Sequence, residues 1–177
     1  MATCVTLSKG RKLPCKSGTG GLKAVSFAPW SEGTIMSGAT GEIATISTGI
    51  TSVYRYELKN SGNQYTETPV TDIDARTTLF NGELSLVLQR LDLETKNEIK
   101  MLAMGELVIF IEDYNGNVFV IGNGVGALLS GGSFVTGGAR ADMNGFNLTF
   151  STSENEPFLQ LSTAAVTQYK SKWIVGV

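Results

Sequence analysis

The clearest alternation of apolar and polar positions in the chain lies between Leu84 and Gly122. Leu84, Leu86 and Leu88 recur with the period of two that is typical of a half-buried strand. The run 107–111 is continuously apolar and rich in strand-forming residues, which predicts a well-buried strand. This unit is the part of the sequence around which we place the other elements.

A short helix is predicted between these two strands. Thr95 and Glu98 have the spacing of a capping box, so the helix should begin there or at Asp92. Apolar residues then recur at helical spacing as far as Leu102, which gives a helix over about residues 93–104. A helix of about three turns is unstable alone in water, so it must pack on a sheet.

Turn signals separate several further strand patterns. Asn115-Gly116 is a strong signal for a two-residue hairpin, because both positions tolerate positive φ. The other strand patterns cover residues 22–30, 118–121, 146–150 and 158–161. Together they predict a mainly β fold, a sandwich or barrel of antiparallel strands with one short flanking helix and an extended hairpin arm.

The hairpin arm is predicted over residues 53–72. Residues 53–59 alternate aromatic or aliphatic side chains with charged ones, residues 60–63 form a turn cluster, and residues 65–68 return in the same style. It is interpreted either as a surface hairpin of the sandwich or as an arm whose tyrosine face is covered by a partner. The residues expected to take part in assembly, including the apolar tail residue Trp173, are Tyr54, Tyr56, Asn60, Ser61, Gly62, Tyr65 and Trp173.

Length and composition favour one structural domain over residues 1–177. Twenty-one glycines against four prolines fit an all-β domain with many turns. Residues 1–20 form a cationic N-terminal arm, either frayed or ordered against a neighbouring subunit, and residues 162–177 form a C-terminal extension, read as another strand or an extended tail. No run of eighteen apolar residues is present, so no membrane span is predicted.

Charge and the absence of histidine narrow the possible functions. A formal net charge of -2 gives no broad basic field, which argues against a dedicated nucleic-acid-binding module. The sequence has no histidine, which removes the Ser-His and Cys-His nucleophile pairs and the commonest transition-metal ligand. We therefore expect no enzyme activity, no metal and no cofactor. Cys4 and Cys15 are expected to be free thiols in a reducing compartment, with a disulfide closing an N-terminal loop as the alternative.

Three motifs of other protein classes fail on their context. The glycine-rich turn 122–127 lacks the spacing and the βαβ setting of a dinucleotide site. Residues 113–117 resemble the start of a calcium loop, but no glutamate closes it. Glu57 and Glu67 could face each other across the predicted hairpin, yet a carboxylate pair on an exposed ribbon lacks the cleft that a glycosidase needs.

Two segments resemble bacteriophage tail tube proteins and related virion ring proteins. They are MLAMGELVIFIED at residues 101–113 and DMNGFNLTF at residues 142–150, the second followed by Glu156-Pro157-Phe158. The resemblance covers roughly residues 50–161. It implies a small β-sandwich or barrel with one flanking helix, hexameric rings, a continuous barrel of inner strands around a channel, and arms or terminal segments that bridge stacked rings.

The function that this resemblance implies is that of a structural virion protein. The chain would be a subunit of a phage tail tube, assembled in the host bacterial cytoplasm, with copies of itself and other virion proteins (sheath, terminator or baseplate components) as partners. DNA would be only a passing cargo, and no membrane would be involved. The alternative is a monomeric β-sandwich that binds carbohydrate or protein through a stacking surface of Trp30, Tyr54, Tyr56 and Tyr65.

Overall fold

Two β-sheets and two helices make up the fold, in a computed structural model that describes residues 10–13, 16–39, 41–58 and 62–175. The strands are β1 (Leu22–Pro29), β2 (Gly38–Ala39), β3 (Glu42–Ile43), β4 (Val53–Glu57), β5 (Gln64–Asp72), β6 (Thr77–Gln89), β7 (Leu107–Asp113), β8 (Val118–Ile121), β9 (Leu128–Val135), β10 (Gly145–Glu154), β11 (Leu159–Leu161) and β12 (Trp173–Val175). The helices are α1 (Leu93–Met104) and α2 (Thr163–Ser171). The predicted class, a mainly β sandwich with a short helix, is confirmed.

The two sheets differ in size. The large sheet has the order β12-β4-β1-β7-β8-β11-β3-β2, and the small sheet has the order β5-β6-β10-β9. Neighbouring strands are antiparallel except for the pairs β11–β3 and β12–β4, which are parallel. The predicted sandwich of antiparallel strands therefore also contains two parallel pairs.

The large sheet is buried on both faces, and this explains the continuous apolar run in β7. Leu107, Ile109 and Ile111 face the small sheet and join the core of the sandwich. Val108 and Phe110 point the other way, into a second core that α2 covers. Alternating residues of a strand point to opposite faces, so a strand with a core on each side must be apolar at every position.

The predicted hairpin arm over residues 53–72 is wrong, because its two strands belong to different sheets. β4 pairs with β1, where Phe27 lies opposite Tyr54, and with β12. β5 pairs with β6, where Tyr65 lies opposite Leu84. The physical reason is that the charged position Arg55 does not face water: it is only 8% exposed and is covered by Trp173. The extended hairpin of this fold is β5–β6.

The C-terminal extension, which was expected to be a strand or an extended tail, contains a helix. Ser162 caps α2 by accepting a hydrogen bond from the amide of Ala165 through Oγ. Ala165 and Tyr169 are one helical turn apart and both fully buried, so the helix has an apolar face that packs on the large sheet. After α2, Trp173 begins β12 and docks on the large sheet beside β4, as its apolar character predicted.

The bounds of α1 agree with the predicted helix. Its first turn is capped at Asp92, whose carboxylate accepts a hydrogen bond from the amide of Thr95 at 2.7 Å. In the N-terminal arm, the amide of Thr19 donates to Asn115, and the Asn115 side chain donates back to the Thr19 carbonyl. The remaining predictions for this arm, including those for Cys4 and Cys15, lie outside the described residues.

Candidate functional site

The distal part of the β5–β6 hairpin extends past the rest of the small sheet. β10 pairs with β6 only as far as Phe80, which lies opposite Glu154. Residues 71–79 are all exposed, and we call residues 70–79 the hairpin tip. Its apolar residues are uncovered: Ile73 is 86% exposed, and Val70, 47% exposed, lies opposite Leu79, 38% exposed.

The turn at the hairpin tip has a defined shape. One oxygen of the Asp72 carboxylate accepts hydrogen bonds from the amides of Asp74 and Ala75, at 2.9 and 2.8 Å. This arrangement holds the turn in the absence of packing. Ile73 is therefore presented at the end of an ordered ribbon.

The small sheet has a polar outer face and two open edges. β5 and β9 are its edge strands, and Phe134 on β9 is 73% exposed. Alternation places Ser85, Asn147 and Thr149 on the face away from the core, since Leu84, Leu148 and Phe150 are buried in it. No lysine or arginine occurs in the four strands of this sheet, and their charged residues are all acidic.

Tyr54 and Tyr56 lie together in a cleft between β4 and α1. The cleft has a volume of about 700 Å³, and α1 lines it with acidic residues that include Glu94 and Glu98. Burial, reinforced by the charge of Glu98, raises the pKa of Tyr56 to about 12. The tyrosine face of β4 is thus partly covered by a helix of the same chain.

A buried ion pair lies on the other face of β4. Arg55 Nη2 donates to Glu112 Oε2 at 2.8 Å, and Lys23 Nζ donates to Glu112 Oε1 at 2.8 Å. The guanidinium carbon lies 4.3 Å from the centre of the Trp173 ring, within the range of a cation–π contact. Burial alone would raise the pKa of Glu112, but the hydrogen bonds and charges of Lys23 and Arg55 outweigh it and lower that pKa. Trp173 is therefore the cover of a buried charge cluster.

Tyr65 lies apart from the other tyrosines, in the small sheet. Its hydroxyl donates to Glu67 at 2.8 Å, and the same carboxylate oxygen accepts from the amide of Phe158 at 3.0 Å. Burial, followed by this hydrogen bond, raises the pKa of Tyr65. Glu57 and Glu67 are in different sheets, so the expectation that they face each other is wrong.

The glycine-rich turn after β8 is anchored by a carboxylate. Glu154 accepts hydrogen bonds from the amide of Gly124 at 3.1 Å and from that of Val125 at 3.4 Å. Burial raises the pKa of Glu154, and these hydrogen bonds act against the increase. Two amides of the turn are therefore already bound by a carboxylate of the chain itself.

Replacing Glu154 by Ala is expected to release this turn. The amides of Gly124 and Val125 should lose protection against hydrogen exchange by about ten- to a hundredfold, because a hydrogen bond to a charged group contributes about 1.5–3 kcal/mol. Hydrogen exchange followed by NMR measures the effect. Glu156→Ala is the control, since Glu156 is exposed two positions away, and equal protection in both variants would contradict the assignment.

The structure brings together only part of the predicted assembly set. Tyr54, Tyr56 and Trp173 lie on or beside β4, whereas Tyr65 lies on β5. Asn60 and Ser61 lie outside the described residues, and Gly62 follows them with a φ of 100°. The hairpin tip and the exposed face of α1 were missed, although Ile73 between two aspartates was a readable signal.

No described helix is long and apolar enough to cross a membrane. Within the same residues, no three His, Cys, Asp or Glu side chains are grouped so that they could hold a metal ion. Comparison of the chain with protein-family models, with curated proteins and with solved structures finds no match.

Proposed function

We propose that this chain is a structural subunit that assembles with copies of itself into stacked rings, as the tube of a bacteriophage tail. The observation that carries the proposal is the hairpin tip, which extends beyond the sandwich with Val70, Ile73 and Leu79 uncovered. A two-stranded ribbon with exposed apolar residues is marginal in water by itself. A partner that covers the hairpin tip would explain why the chain exposes apolar residues on it.

The open edges of the small sheet support a ring in particular. β5 and β9 each have one side without a neighbouring strand among the described elements. Pairing of β5 on one copy with β9 on the next would satisfy both rows of backbone groups. Such a contact joins two different surfaces, and repeating it closes a ring when the rotation between neighbouring copies divides a full turn.

The outer face of the small sheet supports a channel for DNA. If small sheets join edge to edge with this face inward, the lumen is lined by hydroxyl and amide side chains such as Ser85, Asn147 and Thr149, with Glu83 as a carboxylate. The strands carry no cation that would hold phosphates. DNA affinity depends mainly on neutralising phosphates with Lys and Arg, so this wall would let DNA pass.

Electron microscopy and sedimentation of the purified chain test the proposal. We expect rings or tubes with a central hole in negative stain, and a sedimentation coefficient that increases with protein concentration. Raising the salt concentration should change assembly only modestly if strand pairing and apolar contacts dominate. A chain that remains monomeric at the highest attainable concentration would refute the proposed function.

A monomeric carbohydrate- or protein-binding module is the second candidate. The observation that favours it is the cleft in which Tyr54 and Tyr56 lie beside carboxylates. Aromatic rings can stack on a sugar ring, and carboxylates can accept hydrogen bonds from its hydroxyls. Tyr65, another member of the expected stacking surface, lies in the other sheet and is bonded to Glu67. Saturable binding of a glycan by the monomer, lost in Tyr54→Ala, would favour this candidate.

A further inference from the structure

Helix α1 exposes an apolar stripe with a basic border. Leu93 is 70% exposed, Met101 67% and Met104 77%. At 3.6 residues per turn, Leu93, Lys100 and Met104 fall within about 40° of one another around the helix. Lys96 is on the same border, and neither lysine forms an ion pair within the described residues.

The acidic residues of the helix are on the border of the stripe next to Met101, about 100° (Glu94) and 140° (Glu98) around the helix from Leu93. Glu94 and Glu98 line the cleft with Tyr54 and Tyr56 and face β4. The border of the stripe next to Leu93 and Met104 is therefore basic, although the helix as a whole has as many acidic as basic residues. This surface suits a partner that is apolar at its centre and acidic at the edge that meets the lysines.

The hairpin tip has that character. Ile73, the most exposed apolar residue of the tip, lies between Asp72 and Asp74. Two carboxylates and the single cation Arg76 leave residues 72–76 with a net charge of -1. Within the part of the chain that the structure describes, the Asp74 carboxylate forms no hydrogen bond or ion pair, and the shape of the turn depends on Asp72 instead.

Within one chain these two surfaces are at opposite ends of the molecule. The hairpin turn precedes β6, and α1 begins four residues after β6 ends. Thirteen extended residues span about 40 Å, so the tip cannot reach α1 of its own subunit. A contact between the two must join two copies, and it joins them head to tail along the direction of β6.

We propose that the hairpin tip of one copy binds the exposed stripe of α1 on a second copy, with Ile73 between Leu93 and Met104 and with Asp74 near Lys100. This inference depends on the proposed function and specifies one of its interfaces. A head-to-tail contact of this kind does not close on itself when it runs along an axis. It therefore stacks subunits in the axial direction, whereas the edges of the small sheet would join them within a ring.

Cysteine crosslinking of the full chain tests the contact. In a background with Cys4→Ser and Cys15→Ser, we combine Ile73→Cys with Met104→Cys and oxidise the assembled protein. We expect a ladder of covalent multimers on a non-reducing gel, and only dimers when the two single variants are mixed. Ile73→Cys with Ala164→Cys is the control, because Ala164 is an equally exposed helical position on α2.

A charge exchange gives an independent readout. Lys100→Glu should weaken axial stacking by about fivefold, and adding Asp74→Lys in the same chain should restore it, as expected for a close pair of charges contributing about 1 kcal/mol. Tube length in negative stain and sedimentation measure the change. Unlike Asp72, Asp74 can be replaced without removing the acceptor that shapes the turn.

The outcomes separate this inference from the proposed function. If the chain assembles but crosslinks through position 104 no more than through position 164, this inference is wrong and the proposed assembly is unaffected. A chain that assembles and responds to Lys100→Glu without rescue by Asp74→Lys also overturns it. A chain that stays monomeric overturns both.

Discussion

Replacing Glu112 by Gln is expected to lower the free energy of unfolding by about 3–5 kcal/mol, because it leaves the buried guanidinium of Arg55 without its buried counter-charge. Chemical denaturation below the assembly concentration measures the loss, since association would add stability of its own. Glu57→Gln is the matched control. Glu57 also binds Arg55, at 3.1 Å, but its side chain is 65% exposed, so this change should cost about 1 kcal/mol or less.

The same pair predicts a dependence on pH. In the folded state the pKa of Glu112 is below its ordinary value of 4.5, so the unfolded chain binds the proton more tightly. The contribution of Glu112 to the free energy of unfolding is therefore complete above pH 4.5 and is lost as the pH falls through the folded-state pKa. The stability difference between the wild type and Glu112→Gln should shrink in that acid range. A difference that stays constant down to acid unfolding would contradict the assignment.

Shortening the hairpin is expected to weaken the stacking of rings into tubes while the subunit remains folded. Replacing residues 71–78 by Asn-Gly joins the facing residues Val70 and Leu79 through a two-residue turn. The deleted residues are exposed, so the unfolding free energy should change by about 0.5 kcal/mol or less. Loss of a central apolar contact costs about 2 kcal/mol or more, so assembly should require a protein concentration at least about thirtyfold higher.

Ile73→Asp is a smaller change that tests the same contact as the shortened variant. It keeps the length and the turn of the hairpin and removes only the apolar side chain at its end. Both variants should give circular dichroism spectra like that of the wild type, and both should fail to form tubes. If the shortened chain assembles at the wild-type concentration, the hairpin tip is not an assembly element.

The sequence predicted best where a pattern depended only on local geometry. β7 and α1 were placed correctly, since a run apolar at every position and a capped amphipathic turn each have one simple explanation. Strand β4 was also recognised, but its partner was not. The turn cluster after it suggested the next strand, whereas β4 pairs with β1 and with β12.

Helix α2 shows that long-range packing can override a weak local signal. Its sequence contains Thr163, Val166 and Thr167, whose β-branched side chains favour strands over helices. Ser162 as a cap and the buried pair Ala165 and Tyr169 were the signals for a helix. The large sheet supplies the apolar surface that makes this helix stable.

The charge cluster around Arg55 could not be predicted from the sequence. Arg55 and Glu112 are 57 residues apart and on strands separated by β1 in the sheet, so no local pattern links them. The alternating pattern of β4 instead suggested that Arg55 points to water. Its burial depends on Trp173, which comes from the other end of the chain.

The parallel pair of β12 and β4 also has a consequence for biosynthesis. Residues 173–175 leave the ribosome about 120 residues after β4, the strand with which they pair, since Trp173 lies opposite Val53. Until then, one border of the large sheet is open and the guanidinium of Arg55 lacks its aromatic shield. We expect the nascent chain to depend on chaperones during this interval, because an unprotected strand border invites aggregation.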